Sequence, residues 1–222
     1  MVYNHGLMLK NHTVKPYGNM PEWGWSTTRS ALPRFGMVVE LNKEFSSIDW
    51  YGRGPKQNYD DAKHYAPVGR YMMPIEDLNF KYDVPQDTGT RCDVRFLRAS
   101  DTENALTIYG SNTVSFSYHP WALNDLVSAR HLSELKESDK NYLYIDYKMR
   151  PLGSRSCGPE PEENVDFIPH DFEFAFAISG ESAQTACPRY ALNEFAHKTQ
   201  KLTERYEKAE IVEIKQESDC KD

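Results

Sequence analysis

The feature that most constrains the fold is a series of short alternating or aromatic runs, each bounded by turn residues, that fills the chain up to about residue 178. Side chains on a strand alternate between the two faces of its sheet, so such runs predict strands rather than helices. The predicted strands are Leu7–Val14, Phe35–Leu41, Ser47–Tyr51, Cys92–Ala99, Ala105–Gly110, Val114–His119, Tyr142–Lys148 and Phe172–Ile178. The pattern is typical of antiparallel sheet, in which Phe172, Phe174 and Phe176 should share one face.

Two helices are also predicted. Pro120 suits a helix start, and apolar side chains in Trp121–Ala129 share a face. From Tyr190 to about Ala209 the chain has no Gly or Pro, and side chains for one face recur at steps of three and four residues: Leu192, Phe195, Thr199, Leu202 and Tyr206. We expect an amphipathic helix there, docked on the sheet or on a partner. The expected organisation is a β domain, 1–187, followed by a C-terminal helix and charged tail, 188–222.

Charge and composition limit the partners and the compartment. The chain has 26 Lys and Arg against 33 Asp and Glu, a net charge of −7, so the clustered basic surface of a nucleic-acid binder is not expected. With 39% hydrophobic residues and no secretory signal at its N-terminus, it is not expected to span a membrane. Its cysteines form no C-x-x-C pair, which suits free thiols in a reducing cytoplasm. A cytoplasmic location is therefore expected.

The sequence contains no local motif of known catalytic chemistry. The 7 histidines are spread singly, without the H-x-x-x-H or H-x-H spacing of a metal site, so this chain is not expected to bind a metal or another cofactor. P-loop, dinucleotide and G-x-S-x-G motifs are absent from the sequence. Carboxylates are plentiful, but the sequence singles out no pair with the separation that a glycosidase requires.

Three loops are more specific. The first loop is Trp50–Asp61, the second is Val84–Arg91 and the third is Gly153–Pro159. Their glycines can be structural, supplying a positive φ or a close approach of the backbone. The functional interpretation is that polar loops on a rigid sheet, interleaved with Tyr and Trp, form the rim of a sugar-binding cleft.

In their order and spacing, these loops resemble the C-terminal domain of the β-galactosidases of glycoside hydrolase family two. This domain is also found as the small subunit of two-chain bacterial enzymes. The similarity runs from about Leu32 to Ile178. The matching segments are Leu32-Pro33-Arg34-Phe35-Gly36, Trp50 to Pro55 with Asn58-Tyr59 and Asp61, Ala66 to Tyr71, Pro85-Gln86 with Gly89 and Arg91, and Gly153-Ser154 with Ser156-Cys157-Gly158-Pro159.

The resemblance implies a fold and a role. The family's domain is a two-layer antiparallel β-supersandwich, related in fold to galactose mutarotases, that lies beside a catalytic (β/α) barrel. A separate barrel chain is then the expected partner, supplying the catalytic carboxylates and the Mg and Na sites within an oligomer. This chain would line the galactoside-binding site in the hydrolysis of terminal β-galactosides such as lactose, and would be inactive alone.

The resemblance also implies the site residues. The family has Cys or Trp at the position of Cys157, where the side chain helps to bind the galactoside at the rim of the active site. Arg155 and Ser156, its neighbours, are the other candidate substrate-binding residues. No catalytic residue is assigned to this chain.

Departures from the family pattern leave alternatives open. Gln57 stands where the family has Glu, and Ala62 where it has Arg. These changes favour a non-catalytic carbohydrate-binding or assembly module. A mutarotase-like enzyme requires a His that faces a carboxylate across a cleft, with His64 and His119 as candidates. The family's domain also has more residues before its Leu-Pro-Arg segment, so we expect an incomplete layer that docks with a partner or leaves the isolated chain poorly soluble.

Overall fold

The computed structural model describes residues 2–3, 7–17, 31–153, 161–162 and 164–184. These residues form an antiparallel sheet with one short α-helix. The strands are β1 (Val2–Tyr3), β2 (Leu7–Val14), β3 (Arg34–Asn42), β4 (Ser47–Arg53), β5 (Val68–Pro74), β6 (Arg91–Ser100), β7 (Asn104–His119), β8 (Lys140–Met149) and β9 (Phe172–Ser182). Helix α1 is Leu123–Ser128, and 3₁₀ turns lie at Ile75–Asp77 and Leu132–Glu134.

The predicted strands are confirmed with two differences. The runs Ala105–Gly110 and Val114–His119 belong to one continuous strand, β7. The first half of this strand pairs with β9 and the second half with β8. Strand β5 was not predicted. It pairs only with β4 among the described strands, contains a glycine and ends in a proline, and such edge strands give a weak alternating signal. The predicted helix within Trp121–Ala129 is confirmed as α1.

The sheet branches at the middle of β7. Its main path runs β1-β2-β9-β7-β6-β4-β5, and β8 pairs with both β7 and β3. The first half of β7, Asn104–Gly110, pairs with β9, whereas Ser115–His119 pairs with β8. The two arms that diverge from β7 lie over each other as two layers. The predicted all-β, two-layer antiparallel fold is therefore confirmed.

Aromatic side chains fill the space between the two arms. Phe172, Phe174 and Phe176 are buried, as expected for residues that share one face of β9. From β3, Phe35 meets the Phe172 ring edge-on at 5.0 Å, and from β8, Tyr147 stacks on the same ring at 4.1 Å. Each buried phenylalanine contributes about 1.5–3 kcal/mol through the hydrophobic effect. The arms are thus held together chiefly by aromatic packing.

A bulge in β6 shapes the end of the sheet that carries the first loop. The register with β7 shifts between Arg91 and Val94 and again before Phe96, and Asp93 has a φ of 55°. A Cβ on Gly52 in β4 would lie only 2.7 Å from the Val94 Cα, so the bulged backbone approaches β4 closely. A bulge bends its strand and redirects the side chains beside it. Here it allows Arg91 and Asp93 to contact different parts of the neighbouring loops.

All of the described strands lie within one compact unit, Met1–Ala186, and the predicted domain boundaries stay a prediction. The predicted helix from Tyr190 and the segment 188–222 lie outside the described residues, and their assignment stays a prediction. Among the residues that the structure describes, no helix has the length and apolar character needed to cross a membrane.

Candidate functional site

The first loop leaves β4 in a conformation fixed by close ring packing. The Trp50 side chain is fully buried, and its Nε1 donates a hydrogen bond to the carbonyl oxygen of Arg53 at 3.0 Å. A Cβ on Gly54 would lie 2.8 Å from Cδ2 of Tyr71 and 2.9 Å from Cζ2 of Trp50. Only glycine fits this approach, which explains why the two aromatic residues and the glycine occur together.

Arg91 joins the first and second loops. Its side chain is among the largest that are fully buried, and Nη1 donates to the carbonyl oxygens of Leu78 and Gly89, both at 2.7 Å. Nη2 donates to the carbonyl oxygen of Pro55 at 3.0 Å, and the guanidinium lies over the Trp50 ring. Burial lowers the pKa of Arg91 to about 10, so the group stays protonated at neutral pH. One side chain thus holds three backbone segments.

Gln57 connects the same two loops through its side-chain amide. Its Oε1 accepts hydrogen bonds from the backbone N–H of Gly89 at 2.8 Å and from Oγ1 of Thr88 at 3.0 Å. Its Nε2 donates to the Tyr82 hydroxyl at 2.9 Å. A glutamate could accept the first two bonds and could accept the third from the tyrosine hydroxyl, so the site accommodates either residue.

Arg34 lies at the centre of a second polar group, where β3 and β8 approach the second loop. Its Nε is 3.2 Å from Oδ2 of Asp146, and its Nη2 is 3.9 Å from Oδ2 of Asp87. The Tyr59 hydroxyl donates to Oδ1 of Asp87 at 2.9 Å. Burial raises the pKa of Asp146 to about 7, although Arg34 opposes this change. With 1% of its side chain exposed, Asp146 is too deep to contact a substrate and has a structural role.

Asp93, at the bulge, joins Arg53 near the start of the first loop to Lys63 just beyond its end. Its carboxylate is 2.5 Å from Nε of Arg53 and 3.0 Å from Nζ of Lys63. Nζ of Lys63 also contacts Oδ1 of Asp60 at 3.0 Å. Burial alone would raise the pKa of Asp93, but the hydrogen bonds from Arg53 and Lys63 outweigh it and lower the pKa. The carboxylate is therefore ionised at neutral pH.

Replacing Asp93 with Asn should lower the free energy of unfolding by about 1 kcal/mol at neutral pH, because solvent screens a partly exposed pair. Asn tolerates a positive φ, so the change removes the charge and keeps the backbone. The folded pKa lies below the unfolded value of about 3.9, so the stabilisation is present above that value and is lost as the pH falls through the folded pKa. Urea unfolding should show a smaller difference between variant and wild type at about pH 3 than at about pH 7. A difference independent of pH would contradict the account.

The third loop begins next to the end of the first. The backbone N–H of Gly153 donates to Oδ2 of Asp61 at 3.1 Å, across 92 positions of sequence. The predicted substrate-binding residues Cys157, Arg155 and Ser156 lie outside the described residues, so their role stays a prediction. All three loops are nevertheless linked through described residues.

Residues 1–178 match the family model of the β-galactosidase small chain. The matched residues include all three loops. The chain belongs to this β-galactosidase family. The resemblance that the loop motifs indicated is therefore confirmed.

Individual β-galactosidases show the same relationship. The enzyme of Staphylococcus xylosus is 33% identical over 147 residues, which are 66% of this chain and 15% of the relative. The enzyme of Arthrobacter sp. strain B7 is 36% identical over 146 residues, 63% of this chain and 14% of the relative. The enzyme of Vibrio cholerae is 35% identical over 156 residues, which are 69% of this chain and 15% of the relative. The chain thus spans a small part of the length of the relatives that it matches.

Sequence reasoning identified the loops of this family member but missed the side chains that join them. Arg34 and Arg91 were recognised as motif positions without a role. Asp146 lies in the predicted strand Tyr142–Lys148 but was not singled out from the sequence. The structure buries it beneath Arg34. No local signal shows this, because the covering residue comes from another strand.

The two candidate histidines do not provide the pair that a mutarotase-like enzyme requires. His119 is fully buried, stacks on Trp121 at 5.8 Å and has no hydrogen-bond partner for either ring nitrogen among the described residues. Burial lowers its pKa to about 3, so it is neutral at physiological pH. His64 is exposed. Within the described ranges, neither histidine forms an ion pair with a carboxylate.

In the described part of the chain, no three His, Cys, Asp or Glu side chains are close enough to hold a metal ion. The carboxylates of Asp93, Asp146 and Asp166 face arginine or lysine side chains. These three carboxylates are therefore already paired with cationic side chains.

Proposed function

We propose that this chain is the part of a β-galactosidase that lines the rim of the galactoside-binding site during hydrolysis of terminal β-galactosides such as lactose. The match of residues 1–178 to the β-galactosidase small chain carries the proposal. The geometry supports it, because Arg91 joins the first two loops and the Asp61 carboxylate holds the start of the third. Loops fixed in this way on a rigid sheet can position a substrate and exclude water from part of its site.

In this proposal a separate (β/α) barrel chain supplies the catalytic carboxylates. Retaining hydrolysis uses one protonated and one ionised carboxyl group, about 5–5.5 Å apart, that flank the glycosidic bond. Two buried carboxylates of this chain are instead paired with arginines, as Asp49–Arg70 and Asp166–Arg150, and the Asp146 carboxyl beside Arg34 is too deep to meet a substrate. Carboxylates in such ion pairs hold the structure together and are poorly suited to proton transfer with a substrate. This supports the division of roles between two chains.

The third loop carries the proposed contact with the sugar. Cys157 presents a small polarisable side chain to the galactoside, while Arg155 and Ser156 provide hydrogen-bond groups for its hydroxyls. The barrel chain is proposed to hold the Mg and Na ions, and this chain none. The assembly is proposed to be oligomeric and cytoplasmic.

The test uses the β-galactosidase of Staphylococcus xylosus from which the segment that matches this chain has been removed, here called the deleted galactosidase. This chain is added to it, and hydrolysis of a nitrophenyl galactoside is measured. Cys157→Ala should lower kcat/KM about tenfold, because one lost contact of about 1–2 kcal/mol corresponds to that ratio. Cys157→Trp should retain more activity, since some family members have Trp there. Equal kcat/KM for Cys157→Ala and wild type would contradict the rim role.

A non-catalytic carbohydrate-binding or assembly module is the second candidate. Gln57 and Ala62 favour it, because these residues depart from the Glu and Arg of the family pattern. On this alternative, the chain would bind a sugar or the deleted galactosidase without restoring turnover. The activity of the mixture therefore distinguishes the two functions.

A further inference from the structure

Three aromatic side chains form a patch beside the first and second loops, here called the aromatic loop patch: Tyr65, Phe80 and Tyr82. The side chains of Tyr65 and Phe80 are 60% and 62% exposed, and the Phe80 and Tyr82 rings are in contact, with 4.6 Å between their centroids. Large aromatic side chains are rarely left so exposed in a group without a partner, and they are enriched at protein interfaces. The patch therefore requires an explanation beyond the fold of this chain.

The patch is held in place by hydrogen bonds to the first and second loops. The Tyr82 hydroxyl accepts a hydrogen bond from Nε2 of Gln57, and the Tyr65 hydroxyl donates to the Gln57 carbonyl oxygen. The backbone N–H of Phe80 donates to Oγ1 of Thr88, whose side chain is buried. Side chains that are already ordered lose little conformational entropy on binding. The patch is thus prepared for a rigid contact.

The chemistry of the patch favours a protein over a sugar. A sugar is bound by an aromatic face together with free hydrogen-bond groups for its hydroxyls. Here the Gln57 side-chain amide bonds to Thr88, Gly89 and Tyr82, and the Tyr65 hydroxyl donates to the Gln57 backbone carbonyl, which leaves the Tyr82 O–H as the free hydroxyl donor of the patch. What remains for a partner is chiefly the apolar ring surface. That surface fits the apolar centre of a protein interface.

We propose that the aromatic loop patch is the surface through which this chain binds the remaining polypeptide of a β-galactosidase, an inference that rests on the proposed function. The matched segment is only 14–15% of the length of the relatives, so most of their polypeptide lies outside it and can cover this surface. The patch is also continuous with the first loop, whose Asp61 holds the start of the third. A partner bound there lies next to the proposed rim of the galactoside site.

The test measures the dissociation constant between the full chain and the deleted galactosidase. Phe80→Ser should weaken binding at least about tenfold, as truncation of a central aromatic residue does at protein interfaces. Tyr65→Ser should also weaken it. The matched control is Met72→Ser on β5, an exposed apolar side chain, 70% exposed, that is not part of the patch. Its dissociation constant should stay within about twofold of wild type. Equal unfolding midpoints would show that these variants fold normally.

The outcomes separate this inference from the function on which it rests. If wild type binds and Phe80→Ser binds equally well, or Met72→Ser weakens binding as much, the patch is not the interface, and the proposed function stands. If wild type does not bind while the segment excised from the Staphylococcus xylosus enzyme does, the proposed function fails and this inference fails with it. If Phe80→Ser and Tyr65→Ser weaken binding while Met72→Ser does not, the result supports both the interface and the proposed function.

Discussion

Replacing Arg91 with Ala should lower the free energy of unfolding by about 3–5 kcal/mol, one of the two largest effects that we expect in this chain. The guanidinium donates to the carbonyl oxygens of Pro55, Leu78 and Gly89 from a fully buried position. Each buried acceptor left without a donor costs about 1–3 kcal/mol, and partial access of water to the site offsets some of the sum. Since small proteins are stable by only about 5–15 kcal/mol, the variant should be close to unfolding at 37 °C.

Two further variants make the Arg91 prediction specific. Arg91→Lys keeps the charge but cannot donate in a planar fork to several carbonyls, so most of the destabilisation should remain. Arg130→Ala, at an exposed position after α1, should change the stability by less than about 0.5 kcal/mol. The measurement is urea unfolding with a common m-value. An Arg91→Ala variant within about 1 kcal/mol of wild type would show that Arg91 does not hold the loops together.

Replacing Arg34 with Met should destabilise the chain by about 1–1.5 kcal/mol more at about pH 8 than at about pH 5, because the buried Asp146 must then either lack a counter-charge or take up a proton. The effect depends on pH in a defined direction. Burial raises the pKa of Asp146 to about 7 in the folded wild type, above the unfolded value of about 3.9. The contribution of Asp146 to the free energy of unfolding is therefore largest at pH values below its unfolded pKa. This contribution is lost as the pH rises through its folded pKa.

The comparison of two pH values tests this cause directly. At about pH 5 the buried Asp146 is mainly protonated with or without Arg34, so Arg34→Met should cost only its lost packing, its weak hydrogen bonds to Ser117 and Met149 and its long contact with Asp87. At about pH 8 the full penalty should appear. Adding Asp146→Asn to Arg34→Met removes the stranded charge and should restore part of the stability at pH 8. A penalty equal at both pH values, and unchanged by Asp146→Asn, would exclude a role for the Asp146 charge.

The sequence predicts the strands well where a single face is buried. The run Phe172–Ile178 shows alternation that burial explains, and it forms the first seven residues of β9. The same rule predicts a break at Gly110 to Thr113, where the structure has one strand. The reason is that β7 exchanges its partner β9 for β8 there, so continuity depends on pairing with distant strands. Local alternation contains no information about that exchange.

The candidate site was predictable as loops but not as contacts. Glycine, proline and aromatic residues indicated where the loops begin, because those residue types restrict the backbone locally. The bond from Arg91 to Pro55 spans 36 positions, and the bond from Gly153 to Asp61 spans 92. Such contacts depend on the order of strands in the sheet. They can be read only from the folded structure.

The most direct measurement of the central claim compares hydrolysis of a nitrophenyl galactoside by this chain alone, by the deleted galactosidase alone and by their mixture. The segment excised from the Staphylococcus xylosus enzyme, added to the same deleted galactosidase, is the positive control. The account predicts turnover in the mixture and none in either component alone. Turnover by this chain alone, or an inactive mixture when the excised segment restores activity, would contradict the account.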